Sequence, residues 1–171
     1  MSMQEGGFES YGSHLPALLR VVSATHGPII EFGCGYWSTP ILHEVCQVLR
    51  RELVSLDTDP RFVEEFDHLR TNGSEAPHTI RLLKRWTLPE SVTARRWAVV
   101  LIDCAPAEAR LSLLERIRLR ADFIVCHDTQ PEVERKYWDT ALTTFAHRRD
   151  FQPLIASHPW TSVVSDVARI P

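Results

Sequence analysis

The sequence predicts an α/β protein, a doubly wound and mostly parallel sheet closed at its end by an antiparallel pair of strands. Three observations carry that expectation. Short apolar runs alternate with amphipathic segments from residue 28 onward, the pattern of successive βα units. Four of those runs end in polar clusters, Glu31, Asp57, Asp103 and His127-Asp128, and the carboxyl ends of the strands in such a sheet form its ligand-facing edge. The last two apolar runs are joined only by His158-Pro159-Trp160, too short a link for a crossover helix.

The chain of 171 residues fits one domain, 1–171, and its hydrophobic share of 44% and charged share of 24% are those of an ordinary soluble globular protein. Residues 1–9 are polar and read as a flexible terminus. From about Ser10 to Ala24, Leu15, Leu18, Leu19 and Val22 recur at helical spacing, and His26-Gly27-Pro28 ends that helix. The first strand spans about 28–33. The helix after it turns Ile41, Leu42, Val45, Cys46 and Leu49 to one side. Glu52 to Asp57 is the second strand. Asp59-Pro60 caps and opens the next helix, with Phe62, Val63, Phe66 and Leu69 inward.

A polar loop over 71–77 leads to a third strand over 78–83, with Lys84-Arg85-Trp86 at its end. Trp97 to Asp103 is apolar until its last residue, as a central parallel strand should be. A helix from Pro106 buries Leu111, Leu113, Leu114 and Ile117. Ala121 to Cys126 is the fifth strand, and a helix from Pro131 runs through Val133, Tyr137, Trp138, Ala141 and Phe145. Phe151–Ser157 and Thr161–Ala168 are the closing strands.

The stretch most informative about function is Pro28-Ile29-Ile30-Glu31-Phe32-Gly33-Cys34-Gly35-Tyr36-Trp37-Ser38-Thr39-Pro40. A strand stops, the backbone turns at two glycines, and a helix begins. Ser38 or Thr39 can cap that helix, and Pro40 suits its first turn. A nucleotide cofactor bound here would meet Glu31, two residues before Gly33, and Ser38 where dinucleotide sites place a third glycine. A carboxylate repels pyrophosphate and suits a cation, which favours S-adenosylmethionine over a nicotinamide dinucleotide.

Glu-x-Gly-x-Gly at the end of a first strand resembles motif I of the class I S-adenosylmethionine-dependent methyltransferases. The resemblance covers nearly the whole chain and implies a Rossmann-like sheet in the order 3-2-1-4-5-7-6 with strand 7 antiparallel. Ile102-Asp103-Cys104-Ala105-Pro106, Val125-Cys126-His127-Asp128-Thr129, Ser38 to His43 and Pro159 to Ser165 are similar to a short bacterial O-methyltransferase-like subgroup of unassigned substrate. Trp37 departs from the common third glycine of the wider family.

The resemblance implies that Glu31, Gly33 and Gly35 hold the methionine moiety, with Cys34, Tyr36, Ser38 and Thr39 around it. Asp57, with Thr58, would meet the ribose, at a spacing from Gly35 that dinucleotide sites also use. Trp86 would stack on the adenine, or serve as a half-buried lid. Asp103 would lie near the transferring methyl, with Asp128 beside it and His127 as general base, since an imidazole titrates near neutrality. The alternative for His127-Asp128 is a pair that only holds the strand end. Some relatives bind Mg²⁺ at the places of Asp103 and Asp128, but His127 supplies nitrogen where a hard cation prefers oxygen. Mg²⁺ is therefore the less favoured alternative, and no residue is assigned to a metal.

The net charge of −3 gives no reason to expect nucleic acid, and the arginine clusters read as solvated faces. The four cysteines form no Cys-x-x-Cys pair, and neither a secretory signal nor a spanning run is present, so a reduced cytoplasmic protein without a membrane partner is expected. The expected activity is O-methylation of a small molecule. A cofactor-binding, non-catalytic module and a nicotinamide-dependent oxidoreductase are the competing readings. His158-Pro159-Trp160 is expected to border the acceptor pocket.

Overall fold

The computed structural model describes residues 12–155 and 158–171; the terminus expected to be frayed lies outside them. Seven strands form one sheet: β1 (Ile29–Phe32), β2 (Leu53–Asp57), β3 (His78–Leu82), β4 (Trp97–Ile102), β5 (Ala121–His127), β6 (His147–Phe151) and β7 (Thr161–Ser165). Their order is 3-2-1-4-5-7-6. The pairs within β1 to β5 are parallel, and β7 runs antiparallel to both β5 and β6. Among the described residues six α-helices accompany them: α1 (Leu15–Ser23), α2 (Thr39–Leu49), α3 (Pro60–Phe66), α4 (Glu90–Thr93), α5 (Ala109–Ile117) and α6 (Pro131–Tyr137).

The apolar strands are explained by burial on both faces. Side chains alternate along β4, so Val100 and Ile102 pack with α5 through Leu113, Leu114 and Ile117, while Val99 and Leu101 meet α1 and α2 through Leu18, Val22 and Leu42. β1 lies between β2 and β4, and the chain leaves it in one direction and returns on the other side. Ligands bind at such a reversal point in doubly wound sheets.

Register then dictates which residues meet there. Phe32 is paired with Leu56 and with Ile102, and Ile102 with Cys126. The next residue along each strand, Gly33, Asp57, Asp103 and His127, therefore falls in one row at the carboxyl edge. Hydrogen bonds from Gly33 N–H to the Leu56 carbonyl and from Asp103 N–H to the Phe32 carbonyl, both 2.9 Å, lock the row.

Several elements differ from the sequence expectation. The helix expected from Pro131 to Phe145 stops at Tyr137, because Trp138 plunges into the core with its indole N–H donating to the Asp128 carbonyl at 3.2 Å, and Asp139 adopts φ +50°. β6 lies over His147–Phe151 rather than 151–157, so 152–160 connects it to β7. Its arginines read as a solvated face, and an edge strand accommodates them: Arg148 pairs with Glu134 and Asp150. The fifth helix begins at Ala109 rather than Pro106, and Leu49, expected inward, is exposed. α4 had no counterpart in the sequence reading. No helix among the described residues is long and apolar enough to cross a membrane.

Trp138 is 0% exposed. Trp138→Ala is expected to lower unfolding stability by about 3–5 kcal/mol in urea titrations, whereas Leu119→Ala, at 82% exposed, should stay within about 0.5 kcal/mol of the parent.

Candidate active site

A cleft of about 750 Å³ opens over the row at the carboxyl edge, a size suited to a nucleoside-sized ligand with a small partner. Its walls come from the turn after β1, the ends of β2, β4 and β5, and His14 before α1. Gly33, Cys34, Gly35, Tyr36 and Ser38, together with Asp57, Thr58, Asp103, His127 and Asp128, all reach this cleft. The structure does not bring Glu31, Thr39 or Trp86 to its lining.

The turn is forced on the chain by close approach. A Cβ at Gly33 would lie 2.3 Å from the Asp103 carbonyl oxygen, and φ there is +102°, so only glycine is accommodated. That neighbour is the protein's own backbone, not a ligand. At Gly35 a Cβ would meet only Ser38 Oγ, at 3.5 Å. Ser38 occupies the N-cap position of α2 but makes no capping bond; its hydroxyl faces Glu31 instead. Asp59 does cap α3, accepting from the Arg61 amide at 2.9 Å.

Glu31 is fully buried behind the turn. Its Oε2 accepts hydrogen bonds from Thr39 Oγ1 at 2.9 Å and Ser55 Oγ at 2.8 Å, while Thr39 Oγ1 accepts from the Gly35 amide at 2.9 Å. Burial raises its pKa to about 7 against the lowering effect of the surrounding hydroxyls. Glu31 braces the turn from behind. Asp57, by contrast, lines the cleft: Oδ2 accepts from the Cys34 amide and Oδ1 from the Asp59 amide, both at 2.7 Å. Each oxygen keeps a lone pair for a donor in the cleft. Burial pushes its pKa up, and those amides oppose the shift.

The other end of the cleft is a cluster of four charges. Asp103 Oδ2 lies 3.0 Å from His127 Nδ1, with the ring N–H off the direct line, and Oδ1 lies 3.2 Å from Arg110 Nη2. Arg110 Nη1 donates to Asp128 Oδ2 at 2.7 Å, and Arg110 Nε to the Cys104 carbonyl at 3.0 Å. One guanidinium thus ties the ends of β4 and β5 together. Burial alone would raise the pKa of Asp103, but His127, His14 and Arg110 hold it well below the carboxylate range. Burial alone would lower that of His127, and Asp103 with Asp128 reverses the direction to a net rise.

Ser13 Oγ lies 3.0 Å from His127 Nε2, which completes an Asp–His–Ser contact sequence. The serine hydroxyl, however, donates to the Pro159 carbonyl at 2.9 Å. Nε2 must then be the donor, so the ring carries both protons and does not activate Ser13. Two carboxylates, a guanidinium and an imidazolium balance one another, and His14 Nδ1 lies beside them, 3.9 Å from Asp103 Oδ2.

That balance bears on metals. Asp103 and Asp128 share a cation already, so Mg²⁺ between them would displace or repel Arg110. His14, Asp103 and His127 offer ligand atoms within 4.8 Å of one another, but a metal there would have to replace the His127 proton beside the same guanidinium.

Trp86 donates its indole N–H to the Ala105 carbonyl at 2.9 Å and packs edge-on against Phe32 with centroids 6.2 Å apart. It is half-buried and does not line the cleft. The aromatic wall is Tyr36, 54% exposed, stacked edge-on with Phe62 and Phe66. Trp160 is half-buried in the connection to β7, and its carbonyl accepts from the Thr129 amide at 3.1 Å.

Sequence reasoning missed Arg110, although Arg110, Leu113, Leu114 and Ile117 share the i, i+3, i+4, i+7 spacing of one buried helix face. His14 and Ser13 had no local signal; only the tertiary fold brings them to His127.

Gly33→Ala is expected to destabilise by more than about 3 kcal/mol, as read by chemical denaturation. The Asp103–His127 pair should stabilise fully between pH 3.8 and 6.5, the ordinary values of the two groups. The contribution fades in acid through the depressed pKa of Asp103, and in alkali through the raised pKa of His127. Asp103→Asn should abolish the alkaline fade in a Tm-against-pH series and lower the His127 titration midpoint in NMR.

No protein-family model and no curated protein sequence matches the chain. Solved structures do. An O-methyltransferase from Bacillus cereus in complex with SAH is 12% identical, covering 90% of this chain and 80% of its own, with a TM-score of 0.60. A methyltransferase from Pyrococcus furiosus is 10% identical over 98% and 89%, TM-score 0.63. An rRNA methylase from Streptococcus thermophilus is 12% identical over 98% and 100%, TM-score 0.62. With the strand order and the antiparallel β7, these likenesses give the chain the Rossmann-like fold of the class I methyltransferases.

Proposed function

We propose that the protein is an S-adenosylmethionine-dependent methyltransferase acting at oxygen on a small molecule. The observation that carries this reading is Asp57: a carboxylate on the cleft wall, braced by two backbone amides and level with Gly33 and Asp103. Asp57 and Thr58 would hold the ribose, and Gly33 to Ser38 the methionine end. The turn residues 33–38 contain no Lys or Arg, and Arg110 is engaged by two carboxylates. The cleft therefore suits a cationic ligand without phosphate, and suits a dinucleotide poorly.

When bound, the cofactor supplies a methyl group made electrophilic by its sulfonium. The protein's part is to position the acceptor and to take up its proton. Asp103 keeps a proton on His127 Nδ1, so proton exchange with an acceptor would run through Nε2 and the Ser13 hydroxyl that it meets at 3.0 Å. Because the imidazole holds its proton more tightly than usual, His127 becomes a base only as pH rises through its raised pKa, and turnover should rise with it.

A small acceptor is supported by the charge distribution. Arg95, Arg96, Arg118 and Arg148 each pair with a carboxylate, so these arginines offer little free positive charge to a phosphate backbone. Tyr36 and Phe62 present aromatic surface to the cleft, and the charges of the acid–base cluster opposite balance. An uncharged hydroxylated acceptor with an apolar body fits both.

Calorimetric titration of S-adenosylhomocysteine into the purified protein is the first test. One site of micromolar affinity, roughly −8 kcal/mol, is expected, weakened at least tenfold in Asp57→Ala. Absence of binding to folded wild-type protein would sink the reading.

A further inference from the structure

Behind the turn, Glu31 belongs to a chain of side chains that the catalytic reading does not use. Ser55 Oγ on β2, which donates to Glu31, lies 3.0 Å from His78 Nε2 on β3. His78 Nδ1 lies 3.1 Å from His43 Nδ1 on α2, with ring centroids 5.3 Å apart. His78 and Ser55 are fully buried, and His43 is half-buried. Three strands and one helix thus build a continuous file of polar atoms from a buried carboxylate outward.

With Glu31 ionised, one proton arrangement satisfies the contacts that link Glu31, Ser55, His78 and His43. Ser55 has a single proton and gives it to Glu31, so His78 Nε2 must donate to Ser55. Burial holds His78 neutral, its pKa lowered to about 4, which leaves Nδ1 bare to accept from His43 Nδ1–H. When the half-buried His43 takes up a proton from solvent at Nε2, its Nδ1 proton can pass to His78 Nδ1, that of His78 Nε2 to Ser55 and that of Ser55 to Glu31, which leaves Glu31 protonated and His43 neutral without moving a heavy atom. At the other end, the same carboxylate holds Thr39, and Thr39 holds the Gly35 amide. The charge on Glu31 is thereby communicated to the turn.

We propose that His43, His78 and Ser55 are a proton relay to Glu31, and that the protonation of Glu31 sets the hold of the turn on its ligand. The identity of that ligand rests on the reading above; the relay itself does not. The groups facing Glu31 are the hydroxyls of Ser38, Thr39 and Ser55, and the carboxylate of Asp103. The thiols of Cys34 and Cys46 also face it, Cys34 with Asp57 beside it. His78 faces His43 and Arg70. No cationic side chain among these neutralises Glu31 directly, so its charge depends on the hydroxyls and the relay. A carboxylate whose folded pKa is raised from 4.5 to about 7 is charged only at the alkaline side of neutrality, where the turn should grip a cation most firmly.

The test begins without ligand. In ¹³C-carboxyl and ¹H–¹⁵N spectra, Glu31 and the Gly35 amide are expected to titrate with one shared midpoint near neutrality. Glu31→Gln should remove the Gly35 transition, and Ser55→Ala should move it upward by weakening the charged form. A Glu31 midpoint in the ordinary carboxylate range, or a Gly35 amide indifferent to Glu31, would overturn the relay. In the second arm, S-adenosylmethionine affinity should rise about tenfold from pH 6 to 8 and stay flat in Glu31→Gln. A flat wild-type profile also overturns it. Failure to bind at any pH, with the coupled NMR titration intact, would reject the cofactor and leave the relay standing.

Discussion

The structure depends on the parallel register across β2, β1, β4 and β5. Because Phe32 is level with Leu56 and Ile102, and Ile102 with Cys126, the first residues beyond the strands form a single functional row. The backbone of Gly33 then passes so close to Asp103 that no side chain fits between them. A slip of one residue in any of these strands would turn its polar terminus toward a helix layer and its apolar neighbour toward the cleft. Burial of β4 on both faces makes that slip costly, and so the core enforces the geometry of the site.

Within the row, similar acids have opposite fates. Asp103 is surrounded by Arg110, His127 and His14 and stays ionised. Glu31, more deeply buried, has hydroxyl groups around it but no cation, and burial raises its pKa to about 7. Asp57 is intermediate, desolvated but held by amides. The difference follows from what the adjacent helices contribute. α5 brings an arginine to the ends of β4 and β5, while α2 brings Thr39 to the end of β1.

Much of this was legible in the sequence, because periodicity and strand-terminal acids report directly on a doubly wound sheet. β1 to β5 and the ends carrying Asp57, Asp103 and His127-Asp128 follow from apolar runs and their polar stops, whereas the strand order was implied by the resemblance. What was not legible depends on contacts distant in sequence. Charged β6 reads as a solvated face until Glu134 is seen beside Arg148. Trp86 follows a strand, as an adenine-stacking residue would, and only the fold shows that its indole N–H meets the Ala105 carbonyl. Glu31 carries the motif, yet the motif does not say that its side chain points away from the cleft. Arg110 was legible from spacing and overlooked because a lone arginine among helix-surface arginines reads as solvated.

These facts give the cleft a polarity. Along the turn and the end of β2 it presents Asp57 and Asp59 with Glu31 behind them, and the arginine beside Asp59, Arg61, is 85% exposed. At the β4 and β5 ends the charges cancel. A cation is favoured at the first end and gains little at the second, which instead offers a charge-balanced, proton-exchanging surface beside aromatic carbon. A ligand with a positive sulfur and amine would therefore orient itself along the cleft by electrostatics alone. An acceptor without charge would meet no competing attraction toward the turn. The same asymmetry explains why an uncompensated acid at Glu31 is tolerable: its field acts on the end of the cleft where a bound cation would stabilise it.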